Sequence, residues 1–351
     1  MAVSELWAVG MILAAFAGGA FGASVGALPS FSLAGLLVIV GELYTLVGKT
    51  VGVDALPVDI TNAIGFGVVL GPHVAFGGGA AALAYASKRG YVDSDGEHYP
   101  AKDVTRGLGS KADVLVVGGV FGVLGYWVAT LSSSLTIPVD PVALGVVVSA
   151  LAHRLAFGYP LVGAGPRQWF DMTPATRARE PTPEDLAPDG GTPSVDLWLP
   201  YQYEWGDVAV LGLVMGVLGG YVAYVTASPF LAFGIAVVAL FLLSAGVAEI
   251  PATHHMVLPA STAVLALIDA PFGALTPSLV TESVPLTVAL LVGALFGIVG
   301  ALFGEVLQRV FYAHADTHLD PPAASIVVTS LLIAVLAMAG VFESAVWVPT
   351  P

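Results

Sequence analysis

Two apolar segments of this chain carry histidines in a setting where an imidazole could bind a solute or carry a proton. The first segment, residues 66–85, contains Gly71-Pro72-His73 near its middle and three consecutive glycines soon after it. Proline removes a backbone N–H and glycine loosens a helix, so the sequence predicts a broken helix here. A histidine is costly in lipid, and His73 is therefore expected to face protein or water.

The second half of the chain repeats this pattern at residues 250–262. Aligning His73 with His255 also aligns Leu83 with Leu265, so the unusual segment occurs once in each half. We predict that His73 and His255 line a pore, relay protons or bind a metal ion. The alternative is that each ring hydrogen-bonds a backbone carbonyl freed by the neighbouring proline.

Further polar side chains complete a candidate substrate-binding set around these two histidines. An intramembrane carboxylate is functional by default, and Glu42 lies inside an apolar run. Glu249 ends a later apolar stretch, where capping of the next segment explains it equally well. His254 is expected to point elsewhere, because neighbouring residues of a helix face different directions. The predicted set is His73, His255, Glu42, Glu249, Thr253, Ser261 and Thr262.

A second constellation, nearer the C-terminus, has the residue types of a metal site. His314, Asp316, His318 and Asp320 alternate at two-residue steps. In an extended loop all four side chains lie on one side, and two imidazoles with carboxylates suit a zinc-type ion. A hydrated loop explains the same pattern, so metal binding is one of two interpretations.

Two basic residues are expected to have structural roles. Arg309 follows Glu305 by four positions, the spacing and order that favour an ion pair on a helix. Arg154 follows His153 at the end of an apolar stretch, where a long basic side chain is expected to reach the membrane interface.

The composition predicts an integral protein of the cell membrane, with the lipid bilayer as its main partner. Of 351 residues, 57% are hydrophobic and only 10% are charged, whereas a soluble domain is roughly a quarter charged. A net charge of −14 argues against nucleic acid as a partner. The chain has no cysteine and no Walker A, HExxH or GxSxG motif, so we expect no enzyme activity. A coupling proton or a metal cation is the only cofactor that the histidines suggest.

Apolar stretches of about 20 residues, the length that crosses a bilayer, recur ten times. The sequence predicts an all-α, polytopic membrane helix bundle in which the third and eighth spans are broken or re-entrant elements. Residues 1–158 form a first membrane repeat, 159–206 a cytoplasmic polar linker and 207–351 a second repeat. The predicted spans are 6–27, 32–52, 60–86, 113–132, 140–158, 207–226, 229–249, 255–270, 286–311 and 322–343.

The halves match at further landmarks, which indicates an internal repeat. Asp140-Pro141 aligns with Asp320-Pro321, and Gly125 aligns with Gly300. Most basic residues fall in the odd-numbered loops, which the positive-inside rule places in the cytoplasm, so both termini are expected outside. Five spans per repeat makes the second repeat inverted relative to the first, as in many transporters.

The predicted architecture resembles that of ammonium channels and urea channels, which pair two inverted five-span halves. Ammonium channels place histidines from both halves in the pore, which is similar to the expected arrangement of His73 and His255. The chain departs from both families, since Pro29 lies in LPSFSL and no ammonium-channel signature is present. Its acid-rich, lysine-poor loops resemble those of uncharacterised multi-pass membrane proteins of haloarchaeal type.

These patterns predict a permease or channel-like protein that moves a small solute or ion through a site between the repeats. Two alternatives stay open: a non-transporting membrane scaffold or assembly protein, and an intramembrane metal-dependent enzyme. Homo-oligomers are compatible with each of the three.

Overall fold

The computed structural model describes residues 3–52, 58–93, 99–163, 169–170, 172 and 195–351. Within these residues every regular element is a helix, as the apolar stretches predict. The eleven α-helices of this described part are α1 Val9–Val25, α2 Ala27–Val51, α3 Ala75–Lys88, α4 Ala112–Ser134, α5 Pro141–Phe157, α6 Trp205–Thr226, α7 Leu231–Ser244, α8 His254–Leu265, α9 Pro277–Ser283, α10 Leu286–Phe311 and α11 Pro321–Met338.

Five helices, α2, α4, α6, α10 and α11, are long and apolar enough to cross a membrane. Three shorter helices, α1, α5 and α7, are also apolar. Helix α2 exposes Leu36, Val40, Leu43 and Val47, which lie on one face because they are three or four positions apart. Soluble monomers rarely expose such continuous apolar faces, so the fold is compatible with a membrane protein.

The third predicted span is broken, and the eighth is shorter than predicted. Residues 60–86 form a single π-helical turn at Thr61–Gly65, then irregular backbone, and only then α3. In the second half α8 has 12 residues with Pro259 inside it, which is too short to cross a bilayer. Every residue of α8 is buried, so its irregular start is enclosed by protein. Irregular backbone at membrane depth requires such enclosure.

The helix contacts of the first half recur in the second half. Helices α1, α3 and α4 pack against one another, and so do α6, α8 and α10. Helix α5 packs on α3 and α4, and α11 packs on α8 and α10. Between the halves, α2 packs on α7 and α5 packs on α11. Each helix of the first half therefore has a counterpart with matching neighbours.

Glycines allow the closest of these helix crossings. Gly19 of α1 meets Gly118 and Gly122 of α4, where an added methyl group would overlap the partner's backbone. Gly216 of α6 meets Gly297 of α10 in the same way. Small residues at four-residue spacing let helix backbones touch, and dispersion contacts then hold the helices together in lipid.

We expect Gly216→Ala to destabilise the protein, because the added methyl group has no space between α6 and α10. Overpacking of this kind costs about 1–3 kcal/mol, which should lower the midpoint of thermal unfolding in detergent. Gly206→Ala is the matched control, since it lies in the same helix with nothing within 4 Å of the new methyl group. Equal midpoints for the two variants would show that the crossing is not close.

Candidate functional site

Helices α5 and α11 both begin inside the protein, at an Asp-Pro pair. Asp140 Oδ1 accepts hydrogen bonds from the backbone N–H groups of Val142 at 2.8 Å and Ala143 at 3.2 Å. Asp320 Oδ2 accepts one from Ala323 at 2.8 Å. Aspartate is a favoured N-cap and proline suits the first helical position, so this dipeptide can start a helix inside the protein.

The two aspartates line a small central cavity of about 60 Å³ between the halves. We call this space the central cavity. The first half contributes residues of α2, α3 and α5, and the second half contributes the matching residues of α7, α8 and α11. Its polar side chains are Asp140, Asp320 and His254, and its aromatic side chains are Phe31, Phe66, Phe76, Phe230, Phe233 and Trp347.

His254 is the first residue of α8 and is only 2% exposed. Its ring packs edge-to-face on Phe31, with ring centroids 5.2 Å apart, and on Phe233 at 5.9 Å. Its Nδ1 atom has no hydrogen-bond partner among the described residues. A buried polar atom without a partner is costly, and a water or a ligand in the central cavity would supply one.

His73 and His255 lie next to residues that line the central cavity. Neither lines the central cavity, although their preceding neighbours Pro72 and His254 both do. The backbone of His73 packs on Gly125 of α4, and that of His255 packs on Gly300 of α10, so the two occupy matching positions. Neither Nδ1 atom has a partner in the described part of the chain, so the expected carbonyl bond at this nitrogen is not formed. Their role in substrate binding stays a prediction.

Glu42 of α2 connects the two halves. Its carboxylate accepts a hydrogen bond from Thr61 Oγ1 at 2.8 Å and another from Ser228 Oγ. Ser228 in turn accepts from the backbone N–H of Leu231 at 2.9 Å, at the start of α7. The carboxylate therefore joins the broken segment of the first half to a helix of the second half.

Glu42 also lines a wider cavity of about 490 Å³, which we call the Glu42 vestibule. Lys49, Asp59 and Asn62 lie along it. Phe230 lines both this vestibule and the central cavity. Phe230 therefore borders both spaces.

A third cavity, of about 300 Å³, lies at the other end of α2, and we call it the Lys102 vestibule. Its Val104 accepts a hydrogen bond from Leu28 at the start of α2, whereas Lys49 of the Glu42 vestibule lies near the end of that helix. Helix α2 rises about 21 Å between Leu28 and Glu42, so along this helix the near edges of the two vestibules are closer together than the roughly 30 Å hydrocarbon core of a bilayer.

The Lys102 vestibule holds a buried ion pair. Lys102 Nζ donates to the backbone carbonyl of Asp196 at 2.9 Å and lies 3.4 Å from its carboxylate. The same Nζ lies 4.5 Å from the centroid of the Tyr312 ring. Burial lowers the pKa of Lys102 to about 8, and the charge of Asp196 opposes this shift.

The ring of His318 separates the central cavity from the Lys102 vestibule. It packs edge-to-face on Phe76 at 5.6 Å, on Trp198 at 5.5 Å and on Tyr312 at 5.2 Å. Phe76 lines the central cavity, whereas Trp198 and Tyr312 line the vestibule. The His318 Nε2 atom lies 3.4 Å from Asp320 Oδ1.

The alternating residues His314, Asp316, His318 and Asp320 do not converge. Within the described residues, no group of three or more histidines or carboxylates could hold a metal ion. The physical reason is that Asp320 caps α11 and the His318 ring is packed among aromatic rings, so the stretch does not present four side chains to one side.

The remaining predicted binding residues lie outside the central cavity. Glu249 is exposed after α7 and has a left-handed backbone, with φ of 60°. Thr253 is buried and precedes α8. Ser261 donates to the carbonyl of Gly219 at 3.0 Å, and Thr262 donates to that of Leu258 at 2.8 Å. These hydroxyls are used in helix packing.

One structural expectation is confirmed and one is wrong. Arg309 and Glu305 form the expected ion pair, at 2.6 Å, and both side chains are buried. Arg154 does not reach the membrane interface but is fully buried, donating to Thr317 and to the carbonyls of Leu161 and Phe311. The carbonyls that follow α5 and α10 provide partners inside the protein, so the guanidinium needs no water.

The sequence contained a signal for two cavity residues that the candidate set omitted. Asp140 and Asp320 stand out as repeated Asp-Pro pairs, each followed by an apolar stretch. The halves align on both aspartates, and Asp320 is also a predicted metal ligand, but neither residue belongs to the predicted substrate-binding set. No pattern indicated that Phe31 and Phe230 would face a common space.

The chain belongs to the family described as "Family of unknown function (DUF7973)", whose model matches residues 1–351. No curated protein and no solved structure matches the chain. The resemblance to haloarchaeal membrane proteins and to inverted-repeat channels stays a prediction.

We expect the free energy of unfolding to increase with pH between about pH 8 and pH 10.5, the pKa values of Lys102 in the folded and unfolded states. Folded Lys102 releases its proton near pH 8, whereas an unfolded lysine keeps it until about pH 10.5. The unfolded state therefore binds more protons between these values, and stability increases with pH. Relative to Lys102→Met, the wild type should gain on the order of 3 kcal/mol across this window.

The measurement is thermal unfolding in detergent between pH 7 and pH 10.5. Lys111→Met, which removes an exposed lysine, is the control and should follow the wild-type profile. Parallel profiles for the wild type and Lys102→Met would contradict the lowered pKa that burial gives Lys102.

Proposed function

We propose that this protein is a membrane transport protein that moves a small solute or ion through the central cavity. The observation that carries the proposal is the position of this cavity. It is lined by matching residues of both halves and lies between two vestibules at opposite ends of α2. A site at the interface of two related halves, open in turn to either side, is typical of secondary transporters.

We also propose that the halves are inverted five-span repeats, with α3 and α8 as half-helices. The matching helix contacts and the buried, broken starts of both segments support this arrangement. The charged loops around Lys102 and Asp196 would then be cytoplasmic, with both termini outside. The Glu42 vestibule would face the exterior.

Aromatic side chains line the central cavity towards both vestibules. Phe230 lies on the side of the Glu42 vestibule, and Phe76 with His318 lies on the side of the Lys102 vestibule. A site with aromatic side chains towards each vestibule fits alternating access, in which such side chains move aside on one side at a time.

A scaffold protein is the second candidate, and the glycine-packed helix crossings favour it. Such a protein needs no water in its centre. Access of water-soluble reagents to the central cavity therefore distinguishes the two functions.

Single cysteines at Ala143 and Ala323 should react with a small, neutral methanethiosulfonate reagent in membrane vesicles. Both residues line the central cavity, one from each half, and the chain has no native cysteine. Ala81→Cys and Ala263→Cys are matched controls, because both alanines are fully buried and neither lines the cavity. Labelling at the controls only, or at none of the four, would favour the scaffold.

Replacing Phe230 by alanine should increase solute flux. The variant removes the side chain that lies between the Glu42 vestibule and the central cavity. Removing a barrier of 1.4 kcal/mol raises a rate about tenfold, so an increase of this order is expected in reconstituted liposomes. Phe296→Ala is the control, since this buried ring packs on Phe342 away from the cavity. Equal flux in the two variants would show that Phe230 is not a barrier on the pathway.

A further inference from the structure

We propose that the central cavity binds a small monovalent cation of the ammonium class, such as ammonium or methylammonium. This inference rests on the proposed transport function and names the substrate class for the same cavity. It follows from the charge of the lining, the aromatic wall, one unpartnered imidazole and the size of the space.

The charged side chains that line the cavity are both acidic. Asp140 and Asp320 are 7% and 6% exposed, and no lysine or arginine lines the space with them. Asp140 uses Oδ1 for capping, and its Oδ2 has no partner among the described residues. The helix N-termini offset part of each negative charge, but the oxygens still attract a cation and repel an anion.

The wall around these carboxylates suits an ammonium-type ion better than a metal ion. Six aromatic side chains line the cavity. Aromatic rings attract ammonium ions through cation–π interaction, whereas calcium and magnesium require a shell of about six oxygens. The described residues offer no group of three metal-binding side chains here or elsewhere.

His254 supplies an acceptor for such a ligand. A neutral imidazole has one nitrogen that donates and one that accepts, and an ammonium ion has only donors to offer. His254 Nδ1 is buried without a partner among the described residues, and Asp320 lines the same cavity. An N–H group of the ligand would satisfy His254 and a carboxylate together.

The size of the cavity limits the ligand. A space of about 60 Å³ holds only a few water molecules, since about 10–15 Å³ of such space accommodates one. A larger organic cation would need movement of Phe31 or Phe230, whereas ammonium and methylammonium match the space.

The test measures how fast a neutral thiol reagent labels Ala143→Cys in the full-length protein. Methylammonium chloride should slow labelling, whereas methanol with an equal concentration of sodium chloride should not. Methanol has nearly the same shape without the charge, and sodium supplies the charge without N–H groups. Slower labelling in the presence of methylammonium would show that this ion occupies the central cavity.

Charge-removing variants identify the binding groups. Asp320→Asn keeps an oxygen that can cap α11, so the fold is retained while the charge is lost. It should weaken methylammonium protection by about tenfold, the loss expected for a hydrogen bond between charged groups. His254→Phe should also weaken it, while Asp207→Asn, at an exposed position of α6, should leave it unchanged. Asp140→Asn provides the same test from the other half if Asp320→Asn does not fold.

The outcomes separate this inference from the transport proposal. If methanol slows labelling as much as methylammonium does, or if neither compound slows it, the aqueous pathway stands and the cation site is overturned. Protection by sodium alone would overturn the ammonium class in favour of a metal ion. If Ala143→Cys and Ala323→Cys are not labelled, the transport proposal fails and the substrate assignment falls with it.

Discussion

Two helix N-termini must be satisfied deep inside this protein, and the rest of the structure depends on how that is done. Without water, each free N–H at the start of α5 and α11 would cost free energy. Asp140 and Asp320 accept these hydrogen bonds. This capping places two carboxylates beside one cavity. A buried charge is tolerable only when it has hydrogen-bond partners. The need to cap two helices thus creates a negatively charged centre in an apolar bundle.

Close packing by neighbouring helices explains why the bundle tolerates helices that begin inside it. Helices α3 and α8 begin in the middle of the protein, and their irregular starts are enclosed by α4 and α10. Gly125 and Gly300 let the backbones of His73 and His255 approach those helices directly. Close packing around each break replaces the contacts that a continuous helix would have made with its own turns.

Much of this arrangement follows from the sequence, and the rest depends on geometry that a sequence pattern does not contain. The broken segment of the first half was evident from Gly71-Pro72, because these residues act through the local backbone, whereas α8 runs unbroken through Pro259. The sequence did not show which of His254 and His255 faces the cavity, because adjacent residues differ by 100° around a helix. Only the packed fold fixes this choice. Long-range pairing brought Phe31 and Phe230 together, and local patterns carry no information on it.

Glu42 has a consequence for the balance between closed and open forms. Its carboxylate holds Thr61 of one half and Ser228 of the other at the same time. Any movement that draws α7 away from α2 at this end must break one of these hydrogen bonds, each worth about 1.5–3 kcal/mol when one partner is charged. A neutral carboxyl group would hold them more weakly. Protonation of Glu42 would therefore make such a movement easier.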